Sequence, residues 1–255
     1  MEYGLKDKVA VVTGATSGLG QVIARQLAAA GARVVVAGSR EGGEAFAEEI
    51  GGLYVRGDMG KREDCKALID AALAKYGTVH ILVNNAGFQH VASVEEFPED
   101  VWDRMQAVML TAPFLLTKYS WPAMKAQNWG RIVNIGSMHS LVASPFKSAY
   151  TAAKHGLVGF TKSAALEGGA CGITVNAICP AYIATPLVDN QIAAQSRTRG
   201  VPESEVVEKV LLEPAAIKRL ITPEEVADFV LFLCGPSGSA FTGAALSMDL
   251  GWTAR

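Results

Sequence analysis

Short apolar runs rich in β-branched residues recur along the whole chain, and most are followed by a stretch with helical periodicity. The runs are Val9-Ala-Val-Val-Thr13, Val34-Val-Val-Ala37, Leu53-Tyr-Val55, Ile81-Leu-Val83, Ile132-Val-Asn-Ile135, Ile173-Thr-Val-Asn-Ala-Ile178 and Ala245-Leu-Ser-Met248. They show little of the apolar–polar alternation that a strand with one wet face requires, so both faces must be covered. Helices are expected over 22–30, 67–76, 101–126 (despite Pro113 and Pro122) and 149–167. Thr222-Pro-Glu-Glu225 opens another: threonine caps, proline takes the first position and Glu225 completes a capping box. Continuous apolar strands alternating with helices predict a single doubly wound α/β domain over 1–255, a parallel sheet with helices on both faces. One stretch is irregular: 186–220 is polar and helix-prone. It should lie beyond the carboxyl end of a strand, where ligands bind in such folds, and a substrate lid is the expectation.

Composition narrows the partners. Hydrophobic residues make up 50% of the 255, enough for a substantial core. A net charge of -2 offers no basic surplus for nucleic acid and no acidic arm. Cys65, Cys171, Cys179 and Cys234 form no Cys-x-x-Cys pair, so no metal site or disulfide framework is expected, and a reduced, cytoplasmic setting follows. Met1 to Lys8 lacks the apolar run of a signal peptide, and no stretch reaches the roughly 20 apolar residues needed to cross a bilayer. The expectation is a soluble protein with no membrane partner.

The first strand runs into Thr13-Gly14-Ala-Thr16-Ser17-Gly18-Leu19-Gly20, with a helix following. Glycines allow close approach of a pyrophosphate, and the helix N-terminus offers free N–H groups and a positive dipole end. The spacing is Gly-x-x-x-Gly-x-Gly rather than Gly-x-Gly-x-x-Gly, so position after the first strand carries the argument. The second strand ends Ala37-Gly38-Ser39-Arg40. An acid here would bind a ribose 2′-OH and a base a 2′-phosphate; with no acid and one arginine, the choice between NAD and NADP stays open at this point. Asp58 suits either an adenine amino group or a turn cap.

Tyr150 and Lys154 stand four apart on a predicted helix and share a face. A neighbouring ammonium should lower the phenol pKa and fit it to give or take the proton that accompanies hydride transfer at a carbonyl. Ser137, just past the fifth strand, and Asn84-Asn85-Ala86-Gly87, past the fourth, fall at the strand ends that line a cofactor crevice.

With these pieces in place the chain resembles the short-chain dehydrogenase/reductase family nearly end to end. The resemblance implies that Ser137 positions the carbonyl, Tyr150 transfers the proton, and Lys154 holds the nicotinamide ribose and tunes the tyrosine. It also implies cofactor contacts from Gly14, Thr16, Ser17, Gly18, Leu19 and Gly20, then Ser39, Arg40, Asp58 and Met59, then Asn85, Ala86 and Gly87, and finally Pro180, Ile183 and Thr185. Many members are tetramers with the 101 and 149 helices at an interface, which implies a homotetramer. Two positions depart from the pattern. Met109 stands where members usually carry an asparagine that supports a water-mediated proton relay; either another group holds the water or turnover is slowed. Pro180-Ala181 replaces the usual Pro-Gly.

Gln89 and His90, His139, Lys147 and Gln191 surround the proton-transfer residues in sequence. Several donors with one permanent cation suit a small carboxylate substrate. Gly87-Phe-Gln-His90, Ser137-Met-His139, 141–150, 186–191 and 251–255 resemble the subfamily that oxidises (R)-3-hydroxybutyrate with NAD, a reaction of ketone-body metabolism. That resemblance implies Gln89, His139, Lys147 and Gln191 around the carboxylate, with Tyr182 closing the pocket and Trp252 helping from the C-terminal segment. Two other readings stand beside it: a reductase of another small 3-oxo or hydroxy acid or acyl substrate, NADP-dependent or not, and a cofactor-binding scaffold whose catalysis has decayed at Met109.

Overall fold

The computed structural model describes residues 3–254; Met1, Glu2 and Arg255, the last of these part of the C-terminal run singled out above, lie outside the described residues. The strands are β1 (Val9–Thr13), β2 (Arg33–Gly38), β3 (Leu53–Arg56), β4 (Ile81–Asn84), β5 (Gly130–Ile135), β6 (Ile173–Pro180) and β7 (Ala245–Met248). They form one seven-stranded sheet in the order β3-β2-β1-β4-β5-β6-β7, every pair parallel. The order turns back on itself between β1 and β4, which opens a crevice at their carboxyl ends.

The main helices are α1 (Gly18–Ala29), α2 (Gly43–Glu49), α3 (Arg62–Tyr76), α4 (Glu99–Gln106), α5 (Ala112–Ala126) and α6 (Ser148–Gly168). Strand geometry explains the continuous apolar runs. Alternate residues of β1 enter opposite cores: Ala10 and Val12 pack with Ile23, Leu27 and Val230, and Val11 packs with Leu68, Leu82 and Leu116. Each fully buried aliphatic side chain contributes roughly 1.5–3 kcal/mol, so both faces strongly oppose a register slip.

Two elements differ from expectation. Helix α2 was not anticipated, because only Phe46 and Ala47 among its side chains are buried and no apolar stripe marks it. The region 101–126 is helical but not regular: α4 and α5 are joined by a π turn, Ala107–Thr111. Pro113 has no N–H for the Met109 carbonyl four residues back, and its ring crowds that carbonyl; widening the turn relieves the conflict.

The excursion after β6 folds as α7 (Pro186–Asp189), α8 (Ile192–Arg199), α9 (Glu203–Val206) and a π turn, Val207–Leu211. It has a small core of its own, Val188, Val206 and Leu211, with Tyr182 and Ile192 against it. Its two ends are pinned together where Ile183 bridges Ile221 and the Ile221 N–H donates to the Tyr182 carbonyl at 2.9 Å. Helix α10 (Pro223–Cys234) follows, with the predicted capping box made in both directions between Thr222 and Glu225.

Candidate functional site

A cleft of about 460 Å³ opens at the carboxyl ends of the strands. Every residue assigned above to the nucleotide, the proton transfer or the carboxylate lines it, except Trp252.

The phosphate loop is built by backbone conformation. Gly14 and Gly18 have φ of 63° and 54°, open to glycine at little cost. A Cβ on Gly20 would lie 2.3 Å from the Gly14 carbonyl oxygen and 2.4 Å from the Asn85 amide nitrogen, so the loop closes only around glycine. The loop is also tied across the crevice. The Thr13 hydroxyl accepts the N–H groups of Asn85 and Ala86 at 3.0 and 3.1 Å, and the Asn85 side chain donates to the Thr13 and Gly14 carbonyls at 2.9 and 3.2 Å. Sequence reasoning gave Asn85 only a place along the cofactor and missed Thr13. Its polar side chain at the end of a buried apolar strand was the available signal.

Beyond β3, Asp58 acts as a turn cap, accepting the Gly60 N–H at 2.9 Å, and also pairs with Arg104 of α4. Burial pushes its carboxyl up, but Arg104 and the Gly60 N–H outweigh that and hold it below the ordinary value. Arg40 lines the cleft and has no acidic partner among the described residues.

Ser137, Tyr150 and Lys154 converge at the centre. Ser137 caps a 3-10 turn, Met138–Ser140, its hydroxyl accepting the His139 N–H at 3.1 Å while the Ser140 hydroxyl accepts the Ser137 N–H at 3.1 Å. Tyr150 and Lys154 project from successive turns of α6. The Lys154 ammonium is buried and donates to the Ile135 carbonyl at 2.6 Å, 5.6 Å from the Tyr150 ring centre. The tyrosine corrects an expectation. Its phenol is not lowered by the lysine: burial pushes it up to about 12, with the Ser137 hydroxyl pulling partly back. Lys154 is itself depressed to about 8 by burial. The physical reason is burial: both groups lie inside the protein, where loss of water penalises the phenolate and the ammonium alike, and the ammonium bonds the β5 carbonyl rather than the phenol.

Beneath α6, Asn84, Asn134 and Thr161 form a buried chain of side-chain hydrogen bonds, each 2.8 Å, that ties β4 and β5 to the helix carrying Tyr150. Asn134 and Thr161 escaped the sequence reading because both sit inside apolar runs.

The other end of the cleft gathers the polar residues. Lys147, at the N-terminus of α6, is only 2% exposed, and its ammonium donates to the Tyr182 hydroxyl at 3.1 Å. No carboxylate faces it among the described residues. Burial, with the charge of Arg199 on α8, lowers it to about 7. His139 is buried between Ser137 and Ser144, whose hydroxyl is 2.9 Å from Nε2; burial first and the Lys147 charge second lower it to about 3, so the ring is neutral. Gln191 donates from Nε2 to the Leu187 carbonyl at 2.9 Å, leaving Oε1 buried and without a partner among the described residues. The Gln89 side-chain oxygen accepts the His90 N–H at 3.1 Å, whereas His90 packs edge-on to Phe97 outside the cleft.

Trp252 corrects a second expectation. Asp249 accepts the Gly251 and Thr253 N–H groups, each at 3.0 Å, and coils the C-terminal segment into a turn. The indole therefore sits behind His139, ring centres 6.1 Å apart, and donates to the Leu211 carbonyl at 3.2 Å. Met109 is 1% exposed in the π turn, packed with Met105, Val108, Ala149, Ala153 and Tyr150 and against Gly87. Its side chain fills space, and Pro113 leaves its carbonyl without the usual helical donor.

The chain matches the short chain dehydrogenase family over residues 8–196. D-beta-hydroxybutyrate dehydrogenase of Rhizobium meliloti (strain 1021) is 46% identical over 256 residues, spanning 97% of this chain and 99% of the relative. A protein of the same name from Cupriavidus necator (strain ATCC 17699 / DSM 428 / KCTC 22496 / NCIMB 10442 / H16 / Stanier 337) is 42% identical, spanning 98% and 100%. Acetoacetyl-CoA reductase of Shinella zoogloeoides is 36% identical, spanning 96% and 98%. With its parallel doubly wound sheet, its glycine loop and its convergent serine, tyrosine and lysine, this chain belongs to the short-chain dehydrogenase family and is an oxidoreductase of that family.

Proposed function

We propose that the chain interconverts (R)-3-hydroxybutyrate and acetoacetate with NAD as the hydride carrier. The observation that carries this reading is Lys147: a buried ammonium with no carboxylate partner among the described residues, opening onto the cleft that holds Ser137 and Tyr150. A buried unpaired charge is costly unless an anion arrives to compensate it. Gln191, with its unpartnered carbonyl, His139 and Gln89 complete a small polar chamber suited to a short acid. The names of the relatives at 46% and 42% identity point to the same substrate.

The cradle around Gly14, Gly18 and Gly20 suits a dinucleotide pyrophosphate, because these glycines put no side chain into the cleft they line and the first turn of α1 opens onto it. When bound, nicotinamide supplies the hydride acceptor. Ser137 holds the substrate oxygen through a hydroxyl fixed by the 3-10 turn. Tyr150 takes the alcohol proton in oxidation and returns it in reduction. Lys154, its ammonium 5.6 Å from the Tyr150 ring centre, holds the ribose side of the site. NAD is the proposed cofactor; Arg40, beside Ser39 and without an acidic partner among the described residues, is the observation that favours NADP as a second reading. We further propose a cytoplasmic homotetramer. Phe114 on α5 and Leu166 on α6 are 45% and 87% exposed, which suits faces that meet other subunits.

NADH absorbance read with both enantiomers and both cofactors tests the proposal. Reduction of NAD by the (R) form and little by the (S) form is expected. No turnover of any short hydroxy acid would remove the substrate assignment.

A further inference from the structure

Tyr182 enters the reading above only as an aromatic wall, yet its hydroxyl is placed for chemistry. The residue lies just past β6, its main-chain carbonyl fixed by the Ile221 N–H at 2.9 Å. Its ring packs on the core of the excursion formed by Val188, Val206 and Leu211. Those contacts aim the phenol at the carboxylate end of the cleft, where the Lys147 ammonium lies 3.1 Å from its oxygen and 5.0 Å from its ring centre.

The direction of that hydrogen bond matters. An ammonium has donors only, so the phenol oxygen is the acceptor and its own proton points elsewhere. No acceptor for that proton is found among the described residues. A half-buried O–H donor thus borders the cleft beside a cation that has spent one of its three N–H bonds. A carboxylate is acceptor-only and offers two oxygens. We propose that the Tyr182 hydroxyl is a second anchor for the substrate carboxylate, binding one oxygen while the Lys147 ammonium binds the other. The phenol does double service: it accepts from the lysine and so fixes where the ammonium stands, and it donates to the acid. Burial raises the Tyr182 phenol above its ordinary value, so the hydroxyl keeps its proton at any working pH. Because the ring belongs to the excursion's core, engagement of the acid also bonds the 186–211 helices to α6 through the ligand.

This inference rests on the carboxylate reading of the site, and the test separates the two. Butyrate, which has the carboxylate but no hydroxyl to oxidise, is titrated calorimetrically into the NAD-loaded wild-type protein and into Tyr182→Phe at pH 6.5, where Lys147 is largely charged. Tyr182→Phe keeps the ring and its apolar contacts and removes only the donor. Loss of a hydrogen bond to a charged group should weaken butyrate roughly ten- to hundredfold. In turnover, KM for (R)-3-hydroxybutyrate should rise far more than kcat falls. A neutral secondary alcohol such as 2-butanol should lose little in kcat/KM, an outcome that a purely structural role for the ring would not give. Equal butyrate affinity in the two proteins, or equal loss with butyrate and 2-butanol, would overturn the role of the hydroxyl alone. No butyrate binding to the wild type would overturn the carboxylate reading and this inference with it.

Discussion

The buried lysine makes a quantitative demand on pH. Lys147 sits at about 7 in the folded protein, against roughly 10.4 for a free lysine. The groups facing it are the Tyr182 phenol, which stays protonated, the neutral His139 ring, and Arg199 from α8, whose charge only adds to the depression. An anion binds the charged form, so its affinity is fully present below pH 7 and is lost as pH rises. The apparent Ki of butyrate should scale as one plus ten to the power of pH minus 7. That factor grows from about 2 at pH 7 to about 100 at pH 9, a loss of about 50-fold or roughly 2.3 kcal/mol. The rise stops only at the higher pKa the lysine acquires beside a bound carboxylate. Competitive inhibition by butyrate reads this directly, since butyrate gives Tyr150 no proton to move. Stability should run the other way. A folded pKa below the unfolded one means the unfolded chain binds more protons between pH 7 and about 10.4, so the cost of burying this charge is greatest below pH 7 and is relieved as pH rises. Lys147→Met should therefore raise Tm most at pH 6, remove the pH dependence of Ki and leave butyrate weakly bound throughout. A butyrate Ki that is flat from pH 6 to 9 in the wild type would refute the assignment of Lys147 as the anchor.

Two further perturbations address the other end of the cleft and the departure at Met109. Thr13→Val strands the Asn85 and Ala86 N–H groups, each worth about 1–3 kcal/mol when left unsatisfied, and should raise KM for NAD roughly tenfold while leaving KM for the acid little changed; an unaltered NAD KM would mean the clamp does not shape the nucleotide site. Met109→Asn replaces a packed thioether with an amide that has no partner in an apolar cluster, so unfolding stability should fall by about 2 kcal/mol or more and kcat should not rise; a higher kcat would show that an amide at this position was missing from proton delivery.

What the sequence made legible follows from range. Strand runs such as Val9–Thr13 and the Thr222 capping box announce themselves within a few residues, and the parallel doubly wound sheet follows from their order. The cleft was legible because strand-end motifs converge wherever strands of such a sheet end. What stayed hidden depends on direction and on partners distant in sequence. The spacing of Tyr150 and Lys154 gives a shared face but not where the ammonium points, and it points at Ile135. The burial of Lys147 beside Tyr182 joins residues 35 apart in sequence, and the Thr13–Asn85 clamp joins residues 72 apart. Trp252 was misplaced because the turn around Asp249 depends on backbone geometry that a short polar run does not specify. Helix α2 was missed because it hides so little apolar surface.

The Thr13–Asn85 clamp decides which side of the cleft is free to move. It welds the loop after β1 to the shelf after β4, so that wall of the cleft moves as one piece or not at all. The facing wall is made of short helices held at the Ile183–Ile221 bridge, at the Trp252 bond to Leu211 and, through Tyr182, at the Lys147 ammonium. Any room for an incoming dinucleotide has to come from that second side. The groups proposed to bind the acid come from three places: Gln89 after β4, His139 and Lys147 between β5 and α6, and Tyr182 and Gln191 on that second side. The Lys147–Tyr182 hydrogen bond already draws two of them together. The cleft is thus an asymmetric vise, with its fixed jaw at the glycine loop and its jointed jaw at the short helices.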